Sequence, residues 1–126
     1  MEKTKPWLLE LGTKAENNAL AAITARASGC PSIRKIAVFG SRVRGDFTSD
    51  SDLDILVVVD DIMTREAVIK LLYAIETEFD VPLSPVLYTE REVEINRKMG
   101  SGFMKNVDRE GIVLYDTAGK SEKVRG

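Results

Sequence analysis

The 126-residue sequence contains no histidine and only one cysteine, Cys30. The absence of histidine excludes the usual general base, the usual zinc ligand and every Ser–His or Cys–His nucleophile arrangement. A single cysteine cannot form an intrachain disulfide, so the chain is not a disulfide-stabilised framework. Acid–base or metal chemistry must therefore use carboxylates, and carboxylates favour hard cations such as Mg²⁺ or Mn²⁺.

The sequence also lacks a long apolar run and an excess of charge of either sign. No stretch approaches the roughly 20 apolar residues that cross a bilayer, and the N-terminal residues have no signal-peptide core. We therefore expect no membrane segment and a cytoplasmic location. With 18 basic and 20 acidic residues the formal net charge is −2, so the protein as a whole has no electrostatic footprint for DNA or RNA.

Length and composition indicate one globular domain. Hydrophobic residues make up 44% of the sequence and charged residues 30%, which is an ordinary balance for a globular protein. A chain of this length has no room for a second core. We predict a single domain over residues 1–116 and a flexible C-terminal tail over residues 117–126, where most residues are small or charged.

The spacing of apolar and turn-forming residues predicts alternating helices and strands. The prolines of the third strand cannot donate ladder hydrogen bonds, so we expect that strand at an edge of the sheet. In chain order, the predicted elements are a long N-terminal helix over residues 4–29, a strand over 36–39, a loop, a strand over 53–59, a helix over 64–79, an edge strand over 82–88, a helix from residue 89, a short helix ending near 111 and a strand over 112–115. The pattern predicts a small α/β (α+β) domain with a mixed sheet of three to four strands flanked by helices.

The loop after the first predicted strand contains residues suited to binding phosphate. Gly40 permits a sharp turn and a close approach of the backbone to a ligand. Ser41 adds a hydroxyl group, and the following amides face an anion if the next turn is helical. Arg42 and Arg44 supply positive charge near the same point, although a solvated loop surface is an equal alternative for both arginines.

Two acidic residues follow this loop at the beginning of the second strand. Asp52 and Asp54 are two residues apart, so their side chains are expected to leave the same face of the strand. Two neighbouring carboxylates repel each other unless a cation lies between them, and a bound Mg²⁺ would also contact phosphate oxygens. The alternative interpretation is a polar strand entrance without a ligand.

The order Gly-Ser, ten residues, then Asp-x-Asp at the head of an apolar strand resembles the signature of the nucleotidyltransferase superfamily that includes DNA polymerase β. In its small size and its motif Gly-Ser-Arg-x-Arg-Gly-Asp, the chain resembles the minimal nucleotidyltransferases of bacteria and archaea. The resemblance covers roughly residues 33–115. The resemblance implies the nucleotidyltransferase fold. It also implies that Gly40 and Ser41 contact a nucleoside triphosphate, and that Asp52 and Asp54 are the catalytic residues that hold Mg²⁺ or Mn²⁺.

The implied reaction is transfer of a nucleoside monophosphate to a hydroxyl group with release of pyrophosphate. The first candidate for the transferred group is AMP, with ATP as its donor. Active members of the family carry a third carboxylate on a neighbouring strand. In the strand predicted over residues 82–88, Ser84 occupies that place. Asp80 could supply the acid if the strand begins early, and Glu90 is a candidate at the other end.

The resemblance also implies a partner. We expect no additional helical domain for the acceptor, so a partner protein or a second copy would have to present it. Minimal nucleotidyltransferases resemble the antitoxin half of a pair whose other half is an all-helical toxin, which some of them modify with AMP. Two alternatives remain open, namely an antitoxin or regulatory subunit that acts by protein binding, and a sensor that binds ATP with Mg²⁺ without turnover.

Overall fold

The computed structural model describes residues 14–40, residue 43 and residues 52–117. The predicted beginning of the N-terminal helix and residues 118–126 of the predicted tail lie outside these ranges. In chain order, the described elements are α1 (Lys14–Ala27), β1 (Ile33–Phe39), β2 (Leu53–Val59), a 3-10 turn (Ile62–Thr64), α2 (Arg65–Phe79), β3 (Leu83–Thr89), α3 (Glu90–Lys98), α4 (Gly102–Glu110) and β4 (Ile112–Asp116).

The four strands form one mixed sheet in the order β3-β2-β1-β4. Strand β1 pairs antiparallel with both β2 and β4, whereas β2 pairs parallel with β3. The predicted sheet of three to four strands is therefore confirmed, and so is the edge position of β3. The central strand β2 consists almost entirely of buried aliphatic residues, because strands cover both of its sides and helices cover both of its faces.

Helices α1 and α2 cover one face of the sheet, and α3 and α4 cover the other. Alternate residues of β2 divide between the two layers because successive side chains leave opposite faces of a strand. The core on the first face includes Leu20, Ile23, Ile55, Val57, Leu72 and Ile75. The core on the second face includes Leu56, Val58, Val93, Met104 and Val107.

The start of α3 agrees with the sequence prediction, whereas the start of β1 differs from it. The capping box predicted at the start of α3 is present, since Thr89 accepts from the backbone of Glu92 and Glu92 accepts from the backbone of Thr89. Strand β1 begins at Ile33, earlier than the predicted residue 36. The first residues of the strand include Arg34 and Lys35, which are only half-buried. These two charged residues separate Ile33 from the apolar run that the prediction used. None of the helices in the described ranges is long and apolar enough to cross a bilayer.

Candidate active site

The site begins at the turn that follows β1. Gly40 is buried and has a φ of +87°, a left-handed conformation that side chains with a Cβ rarely adopt. The backbone N–H of Val43 donates to the carbonyl oxygen of Gly40 at 3.0 Å, and Val43 packs against the core of the first face. The sharp glycine turn that the sequence predicts is therefore present.

The carboxylate of Asp54 lies directly against this glycine. Asp54 is the second residue of β2 and pairs with Phe39, the last residue of β1. A Cβ atom added to Gly40 would lie 3.0 Å from Cγ and 3.2 Å from Cβ of Asp54, and it would overlap the Oδ2 atom. The missing side chain of Gly40 thus leaves the space that the Asp54 carboxylate fills, and the turn and the acid form one unit.

Asp52 lies just outside β2 and is exposed, whereas Asp54 is half-buried. Between them, Leu53 is buried and its backbone N–H donates to the carbonyl oxygen of Pro82 at 3.0 Å. This hydrogen bond fixes the entrance of β2 to the segment that precedes β3. Both acids therefore lie at the end of the sheet where Gly40 turns, and a shared direction of their side chains stays a prediction.

Three further residues predicted for the site are Ser41, Arg42 and Arg44. They lie outside the residues that the structure describes. Their predicted contacts with phosphate therefore remain predictions.

The neighbouring strand carries a serine where the resemblance to nucleotidyltransferases implies a third acid. In the parallel pairing of β2 and β3, Asp54 is in register with Ser84. Residues in register on adjacent strands leave the same face of the sheet, so Ser84 is the side chain of β3 next to Asp54. The placement of Ser84 made from the sequence is confirmed. A serine hydroxyl brings neither negative charge nor basicity to this position.

The two alternatives for the third acid are wrong. Asp80 terminates α2 in a left-handed conformation with a φ of 56°, and β3 begins only at Leu83, so the strand does not begin early enough to include it. Glu90 begins α3 and lines a cavity of about 270 Å³ together with Val58, near the opposite end of β2. In the described parts of the chain, no group of three His, Cys, Asp or Glu residues could hold a metal ion.

The carboxylates at this end of the sheet nevertheless suit a divalent cation that arrives with a nucleotide. Mg²⁺ keeps several waters and is commonly held by one or two carboxylates plus substrate phosphates, rather than by a complete cage of protein ligands. Asp52 and Asp54 offer such oxygen donors beside a buried glycine turn. The arrangement therefore suits a phosphate-bound cation with Asp52 and Asp54 as its protein ligands.

One feature beside the site was not identified from the sequence. The ring of Phe103, in α4, packs edge-on against Phe39 with a centroid distance of 5.2 Å, and it packs in the same manner against Tyr88 at 5.8 Å. Phe39 immediately precedes Gly40, so this contact supports the strand end from which the turn begins. No local pattern could have revealed it, because the three aromatic residues are far apart in the sequence.

Comparison with known proteins agrees with this geometry. A family model described as Polymerase beta, Nucleotidyltransferase matches residues 21–120. A protein of Methanocaldococcus jannaschii, named as a proposed protein adenylyltransferase, is 40% identical over 83 residues, which are 66% of this chain and 79% of the relative.

Two crystal structures share the fold. One is a mutant of the toxin–antitoxin MntA–HpeT, with a TM-score of 0.55 at 20% identity, covering 83% of this chain and 78% of that chain. The other is a toxin–antitoxin with AMP-PNP, with a TM-score of 0.55 at 21% identity, covering 83% and 77%. Because the family model spans most of the sequence, this chain belongs to the polymerase beta nucleotidyltransferase family of transferases.

Proposed function

We propose that this protein is a metal-dependent protein adenylyltransferase, which transfers AMP from ATP to a hydroxyl group of a partner protein. The observation that carries the proposal is the contact between the Asp54 carboxylate and Gly40. It places an acid of a buried strand directly against the glycine turn that follows β1. The name of the relative from M. jannaschii supports a protein as the acceptor.

In this proposal each residue of the site has one role. The backbone of Gly40 and the hydroxyl group of Ser41 bind the triphosphate, and Arg42 and Arg44 add positive charge beside it. Asp52 and Asp54 would hold Mg²⁺ or Mn²⁺, which when bound would neutralise charge on the phosphate oxygens. Positioning and charge neutralisation would supply most of the rate acceleration.

The partner proposed first is a helical toxin subunit, because the two toxin–antitoxin crystal structures compared above share this fold. A second copy of this chain is the alternative acceptor. In either case the acceptor oxygen forms a bond to the α-phosphorus, and the bond from that phosphorus to the bridging oxygen breaks. Pyrophosphate leaves with the electron pair of the broken bond.

The test compares ATP labelled at the α-phosphate with ATP labelled at the γ-phosphate, in the presence of the protein that copurifies with this chain. Label from the α-phosphate should enter protein and label from the γ-phosphate should not. Asp52→Asn and Asp54→Asn should each lower incorporation by at least about 100-fold, the scale expected when a key electrostatic group is removed. Asp80→Asn is the matched control, because asparagine tolerates the left-handed conformation of that residue.

A second function is favoured by the serine at the third position of the site. An uncharged Ser84 beside Asp54 is compatible with an antitoxin or regulatory subunit that acts by protein binding alone. In that case the partner would copurify in stoichiometric amounts and be inhibited equally by wild type and by Asp54→Asn. Unchanged inhibition together with no incorporation of AMP would replace the enzymatic proposal with this one.

A further inference from the structure

The described part of the active site has one acid fewer than the resemblance to nucleotidyltransferases implies. Asp54 is in register with Ser84, and the described residues contain no third acidic group that could join Asp52 and Asp54 around a metal. Glu90 and Asp80 are each placed away from the paired strand positions. The position beside Asp54 on β3 therefore carries a hydroxyl group instead of a charge.

This position can be reached from outside the domain. Strand β3 is the edge of the sheet, Ser84 is half-buried, and the next residue, Pro85, is exposed. Serine is also smaller than aspartate, so a carboxylate from another molecule would meet less obstruction there. Helices α3 and α4 pack over Leu56 and Val58, further along the same face. Phe103 of α4 packs against Phe39 on the β1 side of Asp54, whereas Ser84 lies on the opposite, β3 side.

We propose that the acceptor protein completes this active site with a carboxylate of its own, which lies beside the hydroxyl group that receives AMP and next to Ser84. The proposal rests on the proposed function, since it specifies the acceptor of that reaction. The acceptor oxygen forms a bond to the α-phosphorus as pyrophosphate departs with the electron pair. The proton of the acceptor hydroxyl passes to the acceptor's own carboxylate, so no acid on β3 is needed.

An active site completed in this way depends on the acceptor, and this dependence determines which hydroxyl groups are modified. A hydroxyl group without a neighbouring acid would bind in the same place but would lack both the base and the additional negative charge. Only acceptor sites that combine a Ser, Thr or Tyr hydroxyl with a nearby Asp or Glu would be modified rapidly. The enzyme would thus be selective for the electrostatics of the acceptor.

The first experiment counts metal ions and does not depend on turnover. Mn²⁺ is titrated into the full chain with a non-hydrolysable ATP analogue present, and bound Mn²⁺ is measured by electron paramagnetic resonance and by calorimetry. Wild type should bind one Mn²⁺ with the nucleotide, and Ser84→Asp should bind two. Ser28→Asp is the matched control, because it adds the same charge after α1, at the other end of β1, and should bind one.

Two Mn²⁺ ions in wild type, unchanged in Ser84→Asp, would overturn the proposal, since this chain would then supply the missing ligand itself. Asp46→Asn and Asp50→Asn would identify that ligand. These two acids belong to the segment between Gly45 and Ser51, which the structure does not describe.

The second experiment measures transfer from ATP to synthetic peptides that carry a Ser, Thr or Tyr hydroxyl flanked by Glu or by Gln. Wild type should modify the Glu-flanked peptides at least about 10-fold faster, a fraction of the usual contribution of a general base. Ser84→Asp should modify both sets at similar rates. Equal rates for both sets with wild type would refute the inference while the proposed function stands.

If neither wild type nor Ser84→Asp transfers AMP to any peptide or copurifying protein, the proposed function fails. The metal count then still decides whether the Ser84 position lacks a ligand. The two failures are therefore distinguishable.

Discussion

The carboxylate of Glu76, in α2, accepts a hydrogen bond of 3.0 Å from the backbone N–H of Leu83, the first residue of β3. The backbone carbonyl oxygen of Glu76 also accepts from the N–H of Val81 at 3.2 Å. One residue thus fixes the connection between α2 and β3 at both its ends. Because Ser84 directly follows Leu83, the same contacts determine where Ser84 lies beside Asp54.

Replacing this carboxylate should destabilise the protein. Glu76→Ala leaves the partly buried N–H of Leu83 without its acceptor, which should lower the free energy of unfolding by about 1–3 kcal/mol. Glu76→Gln retains an acceptor oxygen and should cost less. Urea unfolding measures both. Glu78→Ala is the control: Glu78 forms an exposed ion pair with Arg26, and such pairs contribute at most about 1 kcal/mol.

The glycine beside Asp54 provides a second prediction. Gly40→Ala should strain the backbone and displace the Asp54 carboxylate, because the new Cβ would overlap Oδ2. We expect loss of nucleotide binding by at least about 10-fold and a fall of about 1–2 kcal/mol in the free energy of unfolding from the left-handed conformation alone. Fluorescent ATP-analogue binding and urea unfolding measure the two effects separately.

Gly100→Ala is the matched control for this variant. Gly100 also has a positive φ, of 72°, but an added Cβ would meet nothing within 4 Å. Gly100→Ala should therefore show the same loss of stability, of about 1–2 kcal/mol, without the loss of nucleotide binding. Equal binding by both alanine variants would show that the Gly40–Asp54 contact is unimportant for the nucleotide.

The pair formed by Arg97 and Asp108 joins α3 to α4 and predicts a pH dependence. The guanidinium donates to both carboxylate oxygens at 2.9 and 2.6 Å, and these hydrogen bonds hold the pKa of Asp108 below its ordinary value. A depressed pKa gives stability that is present above the unfolded value, near 3.9, and is lost as the pH falls through the folded value. Asp108→Asn should thus be less stable than wild type at pH 7.

The size of that difference is limited by exposure, since the two side chains are 44% and 43% accessible to solvent. After allowance for solvent screening it should be at most about 1 kcal/mol at pH 7. It should remain constant down to about pH 5 and shrink below about pH 4. Urea unfolding midpoints of wild type and Asp108→Asn, measured over this pH range, test the prediction. A stability difference that grows on acidification would contradict a depressed pKa of Asp108.

The cap that joins β3 to α3 provides a fourth prediction. Thr89 accepts from the backbone N–H of Glu92 at 3.1 Å, so Thr89→Ala should lower the free energy of unfolding by about 1 kcal/mol and Thr89→Ser by less. Thr64 precedes α2 but makes no such capping hydrogen bond; its hydroxyl group donates instead to the carbonyl oxygen of Asp61, at 2.7 Å and exposed to solvent. Thr64→Ala should therefore cost about 0.5 kcal/mol or less. Thermal unfolding of the three variants tests this difference.

Local patterns in the sequence were sufficient for most elements but not for their pairing. The apolar run Leu53–Val59 and the capping box at Thr89 gave correct boundaries, because both depend on residues that are neighbours in sequence. The register of Asp54 with Ser84 depends on a parallel pairing across α2. A shift of one residue would have turned Ser84 to the opposite face. The sequence therefore predicted Ser84 at the third position while leaving Asp80 and Glu90 open.

The outer side of β3 cannot readily be extended by another strand. N–H groups along a strand alternate between its two sides, and the N–H of Leu83 is directed to Glu76. Pro85 shares that direction and has no N–H. Two successive donors that an added strand would require are thus occupied or missing, which opposes edge-to-edge aggregation. A macromolecule that docks along β3 must bind through side-chain contacts, so its surface chemistry would determine recognition.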